Sequence, residues 1–591
     1  MKKIIYTKIV SLLILAITVI GCSDEFLEQT NPNSLSTGTF WQNMDDLNMG
    51  LIGAYKSFSS PNNILLVDDI LRSDLAWGSG YQRPTNTNVY YLQTFNDAAD
   101  FPNKVWAQNY KTIFGANQVI VATEKLLENT FTTATEIEEA TKILAQARFI
   151  RGYMYFLLHH AFNNGDVPLF DFVPEKESDY FQPISPGEEV RAFLLADLEF
   201  AAENLPNSWD ANEEGRVTAG AAVALIGQTY LYQNQFDLAA PYFKSVIEDF
   251  DYALTSNVGS NFTSMDELNE ESILEVVYSM DYKNELGQWD SRDVANTAYN
   301  KKLTGGPGSW RGAIPANWLI VEYRNDPIDT SDPRNKVTEE DGTERFRKFS
   351  LRTSYSIALV DDEDLGYYGF DTPGQASPFN VNLTSFWRKH TNWDLGFGSE
   401  DLMSPGKVRS PINERLIRLG EIYLQYAECM IETGDLDEAL KYINRIRRRA
   451  GVVLLGAAGT GEYPANDHDD VTYTAETLME HLRFKEYPLE LSCEGDNNRN
   501  IDLRRWGVKK ERFQELSERR YDVLHYDVTM PLPEANVVTR WSSIMVEVSP
   551  SDPEVDNNLN EFVKAAANYT DDKAYWPIPN SEIIANPKLY E

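Results

Sequence analysis

Residues 424–446 read LQYAECMIETGDLDEALKYINRI. On each side of Gly434 apolar residues return every three to four positions, the spacing of two amphipathic helices. Gly434 supplies the turn between them and Asp435 the N-cap of the second. Ala427 and Ala439 lie twelve apart, Met430 and Ile443 thirteen. Residues 224–247, ALIGQTYLYQNQFDLAAPYFKSVI, repeat both offsets with Gly227 and Ala239, then Tyr230 and Phe243.

Those offsets match a tetratricopeptide helix pair, in which small residues let two helices approach and large ones fill the space beside them. Outward from the two pairs, the same periodicity predicts helices over 109–127, 135–162, 187–205, 218–250, 414–450 and 475–491. QARFIRGYMYFLLHH (146–160) reads as a further first helix whose partner is less regular. From about 257 to 411 the chain turns to Gly, Pro, Asn, Asp and aromatic residues with short apolar runs such as SILEVVYS (272–279). That stretch predicts loops and short strands, not helices. The expected fold class is mostly α: tetratricopeptide-like helix pairs, an α-α superhelix, cradling an irregular half of loops and short strands. Long loops on a rigid scaffold are where binding residues concentrate.

At the N-terminus, Lys2, Lys3 and Lys8 precede an apolar run over 9–20, the pattern of a secretory signal. The run is too short to span about 30 Å of hydrocarbon. It ends in VIGC, which resembles a bacterial lipobox, so cleavage is expected before Cys22 and lipidation on its sulfur. Two or three acyl chains anchor stably where one does not. The expected organisation is a signal peptide over 1–21, a lipidated tether over 22–36, and one domain over 37–591.

Net charge is −37, and about −40 without the three signal lysines. So acidic a chain is a poor partner for nucleic acid or anionic lipid surfaces. Cys429 and Cys493 sit in apolar sequence and form no spaced framework, which excludes a disulfide scaffold or a cysteine zinc site. The six histidines have no metal-ligand spacing, and HExxH, GxSxG and Walker motifs are all missing. With 90 acidic residues, some carboxylate pair at glycosidase separation is inevitable and proves nothing. No enzyme activity, cofactor or metal is expected. NDHDD (466–470) has calcium-type oxygens but reads better as a solvated loop. Arg445, Arg447, Arg448 and Arg449 end a helix where cations complement the macrodipole.

A series of segments then resembles the SusD/RagB outer-membrane nutrient-binding lipoproteins of Bacteroidetes from end to end: CSDEFLE (22–28), TFWQNMDDLNMGLIGAY (39–55), QARFIRGYMYFLLHHAFNNGDVPLF (146–170), GRVTAGAAVALIGQTYLY (215–232), NEESILEVVYS (269–279), IRLGEIYLQYAECMIETGDLDEALKYINRIRRRAGV (417–452), CEGDNNRNIDLRRWG (493–507) and YWPIPNSEIIANPKLYE (575–591). The resemblance implies four tetratricopeptide-like pairs, a ligand site in the irregular half, and a SusC-like TonB-dependent transporter as partner. It also implies an outward-facing position on the outer membrane, toward which Asp24, Glu25 and Glu28 after Cys22 would act as an export signal. The implied cargo is an oligosaccharide or polysaccharide fragment; peptides or other nutrients in the same role are the alternative, and a helical glycoside hydrolase is the contrasting enzyme reading.

Sugars offer flat apolar faces rimmed by hydroxyls, so a binder needs exposed aromatic platforms with amides, carboxylates or arginines at the edge. Trp77 and Tyr81 in LAWGSGYQRP, Trp289 in LGQWDSRD and Trp310 in GGPGSWRG are candidate platforms. So are Trp387 and Trp393 in SFWRKHTNWD, where Arg388 is a candidate rim group. Asp68, Asp69 and Arg72 lie just before Trp77 and are further rim candidates, with a helix-end salt bridge as their other reading. Trp41 and Trp318 read as helix residues facing the core.

Overall fold

The computed structural model describes residues 40–64, 66–78, 85–279, 298–303, 305, 309–396, 410–495, 498–531, 536–551 and 559–591. The signal, Cys22 and the tether lie outside the described residues, as do Tyr81 and Trp289.

Eight helices form the scaffold: α1 (Met44–Phe58), α2 (Asp100–Asn129), α3 (Ala134–Ala161), α4 (Gly187–Asn204), α5 (Ala219–Leu231), α6 (Phe236–Glu248), α7 (Leu419–Thr433) and α8 (Leu436–Arg449). From α2 onward each packs on the next, and α6 packs on α7 across 170 residues of intervening chain; α1 closes the first end against α2 and α3. The repeat offsets have a steric basis. A Cβ on Gly227 would stand 2.8 Å from the Phe243 ring, so the α5–α6 contact requires glycine there. Gly434 ends α7 at φ +91°, and the Asp435 side chain accepts from Glu438 N at 3.1 Å to start α8. Thr133 and Glu136 form a reciprocal capping box at the start of α3. Cys429 and Cys493 are buried free thiols, which burial pushes well above the usual range. No helix among the described residues is long and apolar enough to cross a membrane.

The irregular half is built from short paired strands: β1 (Ala76–Trp77), β2 (Ser272–Val276), β3 (Ile314–Pro315), β4 (Ile357–Leu359), β5 (Ser385–Trp387) and β6 (Glu414–Arg418). β1 pairs with β3, β2 with β6 and β4 with β5, all antiparallel. Two expectations change. Residues 414–418 are strand rather than the first turn of a helix, because Glu414 to Arg418 pair with β2 and only then does α7 begin. The 257–411 stretch also contains short helices, Ala298–Leu303, Asn317–Arg324 and Leu351–Ser356. Trp318 lies in the second of these, buried, with its indole N–H donating to Asp74 O at 2.6 Å. Trp41 is half-buried, and its ring occupies the space where a Cβ on Gly50 would go.

A long hairpin, β7 (Arg520–Thr529) and β8 (Val537–Val548), follows the helix Lys509–Glu518; periodicity alone had assigned it no element. One continuous apolar cluster runs from Leu47 to Leu589.

Candidate functional site

The helix Leu66–Arg72 leads into β1, and β1 is fixed by a partner more than 230 residues away. Ala76 pairs with Pro315 and Trp77 with Ile314, while Ala316 N donates to Leu75 O at 2.8 Å. The Trp77 and Trp310 segments, read as one site from sequence, are therefore neighbours.

They present their tryptophans differently. Trp310 stands 63% exposed at the end of its loop. Before it, Gly305 is held by two bonds: its N donates to the Tyr367 hydroxyl at 3.1 Å, and Ser377 Oγ donates to its O at 3.0 Å. Further on, Arg311 N donates to Ser309 Oγ at 3.0 Å and Gly312 N to Lys302 O at 2.6 Å. Arg311 adopts φ +48°, which turns the chain sharply after Trp310. Its guanidinium lies 5.9 Å from the centroid of the Phe386 ring, and burial pulls its pKa down. Lys302 Nζ donates to Asp68 Oδ2 at 2.9 Å, and both side chains keep partial access to solvent. Lys302 thus joins the two segments, accepting from Gly312 N through its carbonyl and donating to Asp68 through its ammonium.

Trp77, expected as an exposed platform, is 2% exposed. Strand pairing turns its ring inward, edge-on to Tyr91 at 4.9 Å. Asp69 and Arg72, expected at the rim, are also enclosed. Asp69 Oδ2 accepts from Asn500 Nδ2 at 2.9 Å, and burial raises its pKa against the pull of Arg72. The Arg72 guanidinium lies 4.1 Å from the Trp576 ring centroid, and burial lowers its pKa to about 10. Arg388 is 0% exposed. Its guanidinium donates to Gly366 O at 2.7 Å and Leu365 O at 3.2 Å and lies over Trp393. Trp387 and Trp393 are core residues as well. The physical reason is common to all: partners distant in sequence, a paired strand for Trp77, an amide for Asp69, a ring for Arg72 and backbone carbonyls for Arg388, are absent from any local pattern and take these side chains inward. Lys302 and Arg311 were not anticipated. Their only sequence signal is basic character in a Gly-rich stretch of an acidic chain.

Other motifs settle into structural roles. In 466–470, Asp467 accepts from Thr330 N and Oγ1, Asp469 from Gly456 N and the Tyr473 hydroxyl, and Asp470 from Ala458 N. These carboxylates stitch the loop to its neighbours. In the arginine run, Arg447 donates to Glu486 at 2.7 Å and Arg449 to Glu271 at 2.6 Å, both buried pairs, while Arg445 pairs with Glu462 nearer the surface. Among the described residues no three His, Cys, Asp or Glu converge as metal ligands.

The fold and its parts have counterparts among known proteins. A SusD-like protein of Bacteroides ovatus is 26% identical over 467 residues, covering 75% of this chain and 76% of that protein. A laminarin-binding SusD-like protein superposes with TM-score 0.58 at 20% identity, covering 80% of this chain and 94% of its own. A structure with a xylogluco-oligosaccharide superposes with TM-score 0.61 at 20% identity, covering 92% and 98%. A family described as starch-binding and associating with the outer membrane matches residues 25–231. The SusD family itself matches residues 270–591, more than half of the chain, and the chain belongs to that family.

Proposed function

We propose that this chain binds oligosaccharides or polysaccharide fragments at the cell surface and delivers them to a SusC-like TonB-dependent transporter. Binding is through the Trp310 loop. The observation that carries the reading is the exposed indole of Trp310, two residues before Gly312, whose N–H donates to the carbonyl of the same Lys302 that pairs with Asp68. An indole stacked on a sugar face removes roughly 100 Å² of apolar ring from water, worth about 2–3 kcal/mol at 25 cal/mol per Å². A carboxylate and an ammonium at its edge supply both an acceptor and donors for hydroxyls. Two relatives of this fold, described as laminarin-binding and as holding a xylogluco-oligosaccharide, support a carbohydrate as cargo. Cys22 carries the lipid anchor in this reading, with the domain facing outward.

No bond in the ligand is broken. Calorimetric titration of the soluble chain, begun after Cys22, against laminarin and xyloglucan oligosaccharides tests the proposal, with reducing-end assays alongside. Saturable heats without new reducing ends are expected; no binding across a broad glycan panel, or steady release of new ends, would overturn it.

A further inference from the structure

The β7–β8 hairpin carries a second exposed tryptophan, Trp541, 65% accessible. Its position comes from a break in the ladder. Leu524 pairs with Ile544 and Tyr526 with Arg540, so only His525 stands opposite Trp541, Ser542 and Ser543. Ser542 takes φ +54°, a left-handed conformation that a non-glycine residue adopts at a cost of about 1 kcal/mol or more. The bulge is held on both sides: Ser542 N donates to His525 Nδ1 at 2.8 Å, and Ser543 Oγ donates to Arg540 O at 2.8 Å. The His525 ring meets Trp541 edge-on, centroids 4.5 Å apart. Bulges re-aim side chains and collect near functional sites. Here one aims an indole outward with an imidazole packed against it.

The surroundings are polar. One rung past the Tyr526–Arg540 pair, Thr539 faces Asp527, and its hydroxyl donates to Asp527 Oδ1 at 2.6 Å; two rungs further Val537 faces Thr529. A carboxylate accepts several hydrogen bonds, so Asp527 retains capacity for a further donor. One face of the hairpin therefore offers an outward indole with a carboxylate and a hydroxyl two rungs away. That is the chemistry of an uncharged sugar: an apolar ring face to stack and hydroxyls to bond.

The hairpin is also tied to the segment that fastens the Trp310 loop. Arg540 Nε donates to Gly374 O at 3.0 Å, and Gln375 Nε2 donates to Thr529 O at 2.9 Å. Ser377, two residues on, is the residue whose hydroxyl holds Gly305. Three residue steps of chain span at most about 11 Å. The two tryptophans thus rise from structures fastened to one short turn.

We infer that Trp541, with Asp527 and Thr539, is a second, peripheral platform for neutral polysaccharide, used by chains long enough to reach beyond Trp310. This rests on the glycan reading above. The test compares native protein, Trp541→Ala and Trp310→Ala on laminarin and xyloglucan polysaccharides and on oligosaccharides of about six sugars cut from them. Trp541→Ala should weaken retention by the polysaccharide about tenfold while leaving the short oligosaccharides unchanged, as expected when one of two linked contacts is lost. Trp310→Ala should weaken both. Native protein carrying 5-fluorotryptophan gives an independent readout, free of any folding defect: the ¹⁹F line assigned to Trp541 should move with polysaccharide and stay still with the short sugars. Unchanged polysaccharide binding by Trp541→Ala together with an unmoved line would overturn this inference alone. Failure of native protein to bind any glycan in either length class would overturn the glycan reading and this inference with it. Loss of a co-purifying barrel transporter in Trp541→Ala, with glycan binding intact, would also overturn it and assign the hairpin to protein docking.

Discussion

At the scale of single residues, Trp77 and Trp310 look alike in sequence, each within two residues of glycine in a loop-like stretch, yet the fold buries the first and exposes the second. Trp310→Ala removes a ring that is 63% exposed, so it should cut glycan affinity about tenfold or more while the thermal midpoint stays within a degree or two. Trp77→Ala empties a packed site. It should cost about 3–5 kcal/mol, read as a lowered urea midpoint, with any loss of binding following from unfolding. The contrast separates platform from scaffold in one pair of variants. Glu267 makes a second residue-scale case. Burial raises its pKa to about 7, against the hydrogen bond that Asn413 N donates to it, with Glu275 adding to the rise. The folded chain holds this proton more tightly than the unfolded one, so its contribution is full below about pH 4.5 and is lost as pH rises toward 7. Glu267→Gln keeps the acceptor for Asn413 N but has no proton to lose. Denaturant titrations should find the variant and native protein alike at pH 4 and the variant more stable at pH 8; parallel curves across that range would remove Glu267 from the account.

At the scale of elements, the helix pairs were legible because their determinants are local. The offsets Gly227 to Ala239 and Tyr230 to Phe243, the turn at Gly434 and the cap at Asp435 all lie within one pair, and the structure gives each the expected place. Gly227→Ala should therefore cost about 1–3 kcal/mol, since its Cβ would press on Phe243 and the helices would have to part. Gly434→Ala meets no neighbour, and its cost is the left-handed backbone alone, about 1–2 kcal/mol. Chemical denaturation of both, with a Gly227→Ala, Phe243→Leu double variant relieving the first and not the second, checks that the two glycines are needed for different reasons. The irregular half was legible only as irregular. That β1 pairs with β3, that residues 414–418 extend along β2 before α7 begins, and that 520–548 fold as a hairpin all depend on partners distant in sequence or on a broken alternation. For the same reason Trp310 and Asp68 could be named as site candidates, but Trp77, Asp69, Arg72 and Arg388 could not be told apart from them before their partners were known.

At the scale of the whole molecule, a buried ionic cluster joins the superhelix to the irregular half. Arg418, at the entry to α7, donates to Glu271 and Glu490 at 2.8 Å and to Glu494 at 2.6 Å; Arg449, at the end of α8, reaches Glu271 and Glu490; Lys389 reaches Glu494. Residues from β6, α8, the loop after β5 and the 490–494 segment thus share charges in one enclosed space. Burial pushes the Glu494 carboxyl up, but Arg418 and Lys389 outweigh it and hold the pKa at about 2; Glu271 is likewise held low by Arg449 and Arg418. Depressed carboxylates stabilise the fold above their unfolded pKa, near 4.5, and that contribution drains away as pH falls toward 2. Because the cluster ties the two halves together, acid should not melt the irregular half alone. Far-ultraviolet circular dichroism, which follows the helices, and tryptophan fluorescence, which follows mostly the irregular half, should fall together between about pH 4.5 and 2. Arg418→Met leaves three buried carboxylates sharing fewer cations and should cost about 3–5 kcal/mol at neutral pH. It should also move the acid transition to higher pH, since the carboxylates then hold their protons more readily. Two separate acid transitions in the native chain, or an unchanged midpoint in Arg418→Met, would mean that the halves are joined by apolar packing and that the ions only fill the seam.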